Sequence, residues 1–360
     1  MRYLIVMRFS ALPAAAGRAV PCPQRREAPV GQIMSDQSTI TDIPLDQLDT
    51  AVETLRRGGL VAFPTETVYG LGADAGNPEA IAKLYKIKGR PAARPLTVHL
   101  ADTAEIPLWV REVPPAAQKL IDRYCPGPLT LVLPRRPEIP DIVTAGADSV
   151  GIRLPSHPLA RRLIRAFGRG LVAPSANRSG YLSPTTAEHV RREFGDEVPV
   201  VIDGGPCQLG LESTIVDFST DTPRLLRAGL LTPEMLQETA GVAVAAPAEA
   251  PAATAGPHYR PRTPVRMCPS ADLPAAAAAE LSRPHHCLAV MYHSPELRFP
   301  QSPGLRLMQL PGRPEEYARS LYASLRYLDG CSLDAVIVEE LPDTPSWEVL
   351  RQRLAQIARK

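Results

Sequence analysis

The strongest constraint on this chain is a recurring exchange between two hydrophobic periods. Short apolar runs that stop at glycine or proline are each followed by apolar residues at helical spacing. Over residues 48–57, Leu48, Ala51, Val52 and Leu55 share one helical face, and Gly58-Gly59 supplies the stop. Residues 60–63 form a short apolar strand broken by Pro64, and Asn77-Pro78 opens a helix running to about Ile87. The same rhythm predicts strands near 96–100, 129–133, 150–154, 171–173, 198–202 and 214–218, with helices at 114–124, 158–167 and 185–194 between them. A strand at 224–226 and a helix at 232–239 finish this part. Such an alternation is the signature of an α/β domain, here with a large mixed sheet.

Residues 242–264 interrupt the rhythm with a run dominated by Ala, Pro, Gly and Val, which buries little surface and reads as a semi-extended linker. From Val265 a second alternation begins: helix 271–281, strand 287–292, helix 315–328, strand 335–339 and helix 347–358. This predicts a smaller Rossmann-like α/β domain over 265–360, after a first domain over 43–241. The second domain has no Gly-x-Gly-x-x-Gly turn after a strand, so nothing in it predicts dinucleotide binding. The total of 360 residues exceeds the length at which one core usually stops growing, in keeping with two domains.

Residues 1–33 stand apart. They carry five arginines against the single acid Glu27, and without them the formal net charge falls from +2 to −2. An Arg-rich presequence or a weak bacterial signal fits this composition, but the favoured reading is a disordered extension with Met34 as the true start. A net charge so near zero argues against a protein whose main task is coating nucleic acid with positive charge, although a local basic groove stays open. The six cysteines are scattered, without a Cys-x-x-Cys pair, and no His cluster has metal-ligand spacing. Reduced thiols, no bound metal and a cytoplasmic location are therefore expected. No apolar run approaches the roughly 20 residues that span a bilayer.

Several segments could carry chemistry, each with a plainer reading. Phe63-Pro64-Thr65-Glu66-Thr67-Val68-Tyr69-Gly70-Leu71-Gly72 puts hydroxyls and glycines after a strand, where open α/β sheets build ligand crevices; it also reads as a tight turn packed by Tyr69. In Lys86-Ile87-Lys88-Gly89-Arg90-Pro91, two cations leave a helix end together, which suits a polyphosphate but also ordinary C-terminal capping. Ala173-Pro174-Ser175-Ala176-Asn177 and Leu211-Glu212-Ser213-Thr214-Ile215 set short polar groups beside strands, as binding groups or turn formers. Arg153 and Arg227 sit in or just after apolar strands and need an anionic partner, either a protein carboxylate or a ligand.

Together, the order and spacing of these segments over residues 43–240 resemble the YrdC-like family of threonylcarbamoyl-adenylate synthases. The resemblance lies in Pro64-Thr65-Glu66-Thr67-Val68-Tyr69-Gly70-Leu71, Lys88-Gly89-Arg90-Pro91 with Pro95-Leu96-Thr97-Val98-His99, Pro126-Gly127-Pro128-Leu129-Thr130, Ala173-Pro174-Ser175-Ala176-Asn177 and Glu212-Ser213-Thr214-Ile215. The extra C-terminal domain resembles the longer, two-domain (Sua-type) branch.

The resemblance implies a twisted sheet around a concave basic cavity and a nucleotidyltransferase that joins L-threonine, bicarbonate and ATP, releasing pyrophosphate. It assigns Lys88 and Arg90 to catalysis and, with Ser149, Ser175, Asn177, Ser183 and Arg227, to ATP. It assigns Thr65, His99, Arg153 and Ser213 to L-threonine; for His99 a core histidine satisfied by the backbone is the competing reading. Gly256-Pro257-His258-Tyr259-Arg260-Pro261 is similar to a family segment that folds over the site, which makes Tyr259 an ATP contact. Arg94 departs from the pattern, standing where the family usually has a smaller polar residue. ATP as substrate and Mg2+ are implied, as is a downstream transferase that makes N6-threonylcarbamoyladenosine (t6A) in tRNA. Two rivals stand beside this reading: a double-stranded RNA or tRNA binding module on the same fold, and a carbamoyl-transfer subunit of a metalloenzyme maturation factor. The second is disfavoured because the zinc-type Cys-x-x-Cys repeats of those factors are missing here.

Overall fold

A computed structural model describes residues 43–245 and 259–358 of the chain, in two compact units divided between Pro257 and His258. The predicted extension over 1–33, the start at Met34 and most of the linker lie outside the described residues.

In the first unit the chain runs α1 (Leu45–Arg56), β1 (Val61–Phe63), β2 (Gly70–Asp74), α2 (Pro78–Lys88), β3 (Thr97–His99), α3 (Pro115–Tyr124), β4 (Leu129–Pro134), α4 (Asp141–Thr144), β5 (Ser149–Arg153), α5 (Pro158–Phe167), β6 (Leu171–Val172), α6 (Ala187–Phe194), β7 (Val200–Val201), β8 (Thr214–Asp217), β9 (Arg224–Arg227) and α7 (Pro233–Ala240). The strands form one nine-stranded mixed sheet in the order β7-β1-β2-β6-β3-β5-β4-β8-β9. Helix α1 packs on α5, where Leu48, Ala51 and Leu55 meet Leu159, Leu163 and Phe167 in one core cluster. A separate, larger core gathers α2, α3, α6 and α7 through Ile81, Leu84, Leu120, Val190 and Leu236. Local sequence starts and stops these helices. Asn77 caps α2 by accepting from the Glu79 and Ala80 amides, and Gly89 ends it in the left-handed conformation at φ 58°.

Strand β2 was not foreseen. Its Gly-Leu-Gly sequence reads as a turn, yet all five residues are buried in the sheet. The glycines are there for closeness: a Cβ on Gly72 would stand 2.8 Å from the Phe63 ring. The predicted linker also begins too early, because Val244 is buried and Ala245 bridges to Arg224 within the first unit.

The second unit comprises β10 (Val265–Cys268), α8 (Leu273–Leu281), β11 (Leu288–Tyr292), β12 (Leu305–Gln309), α9 (Pro314–Asp329), β13 (Ala335–Glu339) and α10 (Glu348–Ala358). Its sheet, in the order β10-β13-β11-β12, is wholly parallel. Strand β12 was missed because its burial is only partial and carries no clean alternation. Buried Glu339 ties together the ends of three strands, accepting from the Ser270 hydroxyl at 2.8 Å and from the His293 and Ser294 amides at 2.6 and 3.0 Å. Among the described residues no helix is long and apolar enough to cross a membrane. The described cysteines are free thiols, and no group of three or more metal-ligating side chains occurs among the described residues.

Candidate active site

The centre of the site is a buried guanidinium. Arg153 ends β5 beside His99 of β3 and Thr130 of β4, so sheet register alone brings three polar residues abreast. Arg153 Nη2 donates to Glu66 Oε1 and to Thr67 Oγ1, each at 2.7 Å, and stands 3.5 Å from Thr65 Oγ1. Glu66 Oε2 in turn accepts from the Ser156 amide at 3.0 Å. The anionic partner that the sequence left open is therefore a protein carboxylate. Thr65 Oγ1 bonds Thr67 Oγ1 at 2.8 Å and donates to the Val68 carbonyl at 2.6 Å, which holds the 65–68 turn against the arginine.

His99 is buried against the Phe63 ring, with Nδ1 3.3 Å from the Thr97 carbonyl. Burial, and then the Arg153 charge, depress its pKa to about 3. The imidazole is neutral at any ordinary pH and can orient a polar ligand without carrying charge.

Thr130 links this cluster to the next. Its hydroxyl pairs with Ser213 Oγ at 2.8 Å, and Arg227, the last residue of β9, donates from Nη2 to the same Ser213 oxygen and from Nε to the Ser213 carbonyl, both at 2.9 Å. Arg227 in turn belongs to a set of cations. Burial holds the Arg90 pKa below its usual value, and the neighbouring Arg94 and Arg227 charges add to that depression. Arg90 Nη2 is steadied by the Pro95 carbonyl at 2.8 Å. Two guanidiniums whose charges act on a third form a place where an anion of several charges is stabilised.

Lys88, which the resemblance assigns to ATP, is 3% exposed, and its Nζ donates to the Ser175 and Asn177 carbonyls. A buried ammonium must find acceptors, and the nearest are main-chain oxygens of the turn after β6. Ser183 is similarly committed: its buried hydroxyl donates to Glu212 Oε1 at 2.5 Å. Ser175 and Ser149 are half-buried, while Asn177 is buried with its Nδ2 on the Arg178 and Tyr181 carbonyls. Tyr259 belongs to the second unit, where its ring stacks on Tyr322 at 5.8 Å and lies beneath the Arg353 guanidinium at 3.9 Å.

Sequence reasoning missed Glu66, Thr67 and Thr130. All three stood inside quoted motifs, but only the folded-back 65–68 turn and the β4–β5 register reveal that they meet Arg153 and Ser213. Tyr69 fits the plainer reading of a packed turn: it is fully buried and its hydroxyl donates to the Gly205 carbonyl at 2.8 Å. Two surface clefts of about 480 and 570 Å3 are lined by Arg162, Arg191 and residues of α1 and β7, and hold none of these groups. Concentrated charge marks the site.

Comparison with known proteins shows the family. The family model described as Telomere recombination matches residues 53–229, and that described as Threonylcarbamoyl-AMP synthase, C-terminal domain, matches 231–358. A threonylcarbamoyl-AMP synthase of Bacillus subtilis is 36% identical over 321 residues, which cover 87% of this chain and 93% of that one. One from Pyrococcus abyssi is 45% identical over 187 residues, covering 52% of this chain and 55% of the relative. The crystal structure of P. abyssi Sua5 complexed with L-threonine superposes with a TM-score of 0.78 at 32% identity, covering 88% of this chain and 95% of that one. The chain belongs to the threonylcarbamoyl-AMP synthase family, in its two-domain form.

Proposed function

We propose that this chain is an L-threonylcarbamoyladenylate synthase, converting L-threonine, bicarbonate and ATP into threonylcarbamoyl-AMP, pyrophosphate and water. The observation that carries the reading is the arrangement of polar groups on adjacent strands: the Arg153 cluster stands beside Thr130 in the sheet register, Thr130 pairs with Ser213, and Ser213 holds Arg227, whose charge acts on Arg90. One end suits an amino acid and the other a triphosphate, so the two substrates meet between them.

In this reading the threonine amine combines with bicarbonate to give a carbamate, with loss of water. A carbamate oxygen then bonds to the α-phosphorus of ATP, and the bond to the β-phosphate bridging oxygen breaks. Arg153 receives the threonine carboxylate, with Glu66 and Thr67 fixing its fork, while Thr65, neutral His99 and Ser213 orient the remaining polar atoms. Arg90, Arg94 and Arg227 spread the charge that builds on departing pyrophosphate, which is how adenylyl transfer is accelerated without a protein nucleophile. Ser149, Ser175 and Asn177 contribute to the nucleotide side. Mg2+ would enter with ATP as part of the substrate and help to neutralise the phosphate charge.

The adenylate is a reactive mixed anhydride, so its consumer is a cytoplasmic transferase that places the threonylcarbamoyl group on tRNA adenosine, making t6A. Pyrophosphate release, with L-threonine and bicarbonate omitted in turn, tests the reading. Release that requires both co-substrates and falls at least a hundredfold in Arg90→Ala supports it; ATP-independent RNA binding with no pyrophosphate sinks it.

A further inference from the structure

We propose that Lys88 is a positioning residue: its buried ammonium pins the turn at Ser175–Asn177 and leaves nucleotide contact to Arg90 on the other side of Gly89. This inference rests on the ATP site proposed above.

Two independent connections join the end of α2 to this turn. The Lys88 ammonium donates to the Ser175 and Asn177 carbonyls, and the Lys88 carbonyl accepts from the Ser179 amide at 2.7 Å. One residue thus grips both limbs of the turn, by side chain and by backbone. The far side of the turn is held by β2 and the residue before it: Ala176 N donates to the Tyr69 carbonyl at 2.7 Å, and Leu71 N to the Pro174 carbonyl at 2.8 Å. With its Pro174, Ser175 and Asn177 carbonyls all engaged, the turn is held from both sides.

Gly89 explains why the Lys-x-Arg spacing separates two duties. Its left-handed backbone reverses the chain at the helix end, so Lys88 is buried while Arg90 is only partly so and joins the Arg94 and Arg227 cations. A lysine that met phosphate directly would need an accessible Nζ; Lys88 is 3% exposed and two of its three donors are already on carbonyls. Two of its donors organise the backbone from which Ser175 acts.

Lysine labelling of the full-length protein by acetic anhydride, read by mass spectrometry with and without ATP, separates the two roles. A positioning lysine is slow to label in both states, whereas a phosphate contact labels freely without ATP and is protected by it. Lys88→Met supplies the second arm, with binding of ATP, AMP, inorganic pyrophosphate and L-threonine measured separately. The expected result is an equal loss of tenfold or more for ATP and AMP, with pyrophosphate and L-threonine within twofold of the parent. Faster amide exchange is expected at Ala176 and Ser179. Loss confined to ATP and pyrophosphate would overturn the proposal, as would loss of L-threonine binding, which signals a general fold defect. Should the parent protein bind no nucleotide, the functional reading fails, and labelling with amide exchange still decides what Lys88 holds.

Discussion

Arg153 Nη2 lies 2.7 Å from Glu66 Oε1, and the two side chains are only 7% and 3% exposed. An ion pair this deep is poor evidence of net stabilisation, since removing both charges from water costs as much as their attraction returns. Breaking it from one side is a different matter. Glu66→Ala leaves a buried guanidinium with two hydroxyls as partners and is expected to cost about 3–5 kcal/mol in urea unfolding. Glu66→Gln, which keeps an acceptor, is expected to cost less and to raise KM for L-threonine while leaving KM for ATP within twofold. Equal effects on both substrates would show that Glu66 does not act through Arg153.

His99 makes acid stability measurable. Its folded pKa of about 3 lies below the unfolded value of 6.5, so the unfolded chain binds the extra proton. The contribution is complete above pH 6.5 and is lost as pH falls from 6.5 towards 3. The depressed pKa of buried His157 acts in the same direction. Urea midpoints at successive pH values should fall across this window, and His99→Gln should flatten the slope by about 1.4 kcal/mol per pH unit. An unchanged slope would place His99 outside the titration.

Ser213 accepts from Arg227 and pairs with Thr130, so it joins the two halves of the site. Ser213→Ala removes a charge-assisted hydrogen bond and is expected to weaken both substrates by roughly tenfold to a hundredfold. In a double-mutant cycle with Arg227→Ala the ATP losses should fall short of additive, because both variants cut the same contact. Full additivity would mean that Arg227 reaches the nucleotide without Ser213.

Gly72→Ala tests the close approach of β1 and β2. The new methyl would sit 2.8 Å from the Phe63 ring and 3.3 Å from the Val61 carbonyl, both in packed core, so a loss of about 1–3 kcal/mol is expected. Gly89→Ala meets no atom within 4 Å and should cost only the left-handed strain, about 1 kcal/mol. Thermal unfolding distinguishes the two.

The resemblance places Tyr259 at the nucleotide, and in the second unit its ring stacks on Tyr322 and lies beneath Arg353. Tyr259→Ala removes both contacts, which should cost about 1–3 kcal/mol of that unit's stability. A rise in KM for ATP with unchanged melting would show that the ring serves the nucleotide rather than the unit's stability.

Much of this is legible in the sequence. The helix at 158–167 was read to the residue, because Pro158 starts it, Gly168 stops it in the left-handed conformation, and its apolar positions repeat at a strict helical period. The residue types of the site were legible too, since an arginine in an apolar strand announces that it needs an anion. Strand β2 was hidden because glycines that serve close packing look the same in sequence as glycines that serve turns. The burial of Lys88 was hidden because a cation at a helix end gives no sign of which way the following glycine turns it.

Local information is enough to determine elements whose cause is local: caps, stops, hydrophobic period, and the chemical needs of single side chains. The pairing of Arg153 with Glu66, of Ser213 with Thr130, and of Lys88 with the Ser175–Asn177 carbonyls spans separations of 83 to 89 residues. Each partner was visible as a type, but which one is reached depends on strand register and on how far a turn folds back, quantities that exist only once the sheet has closed.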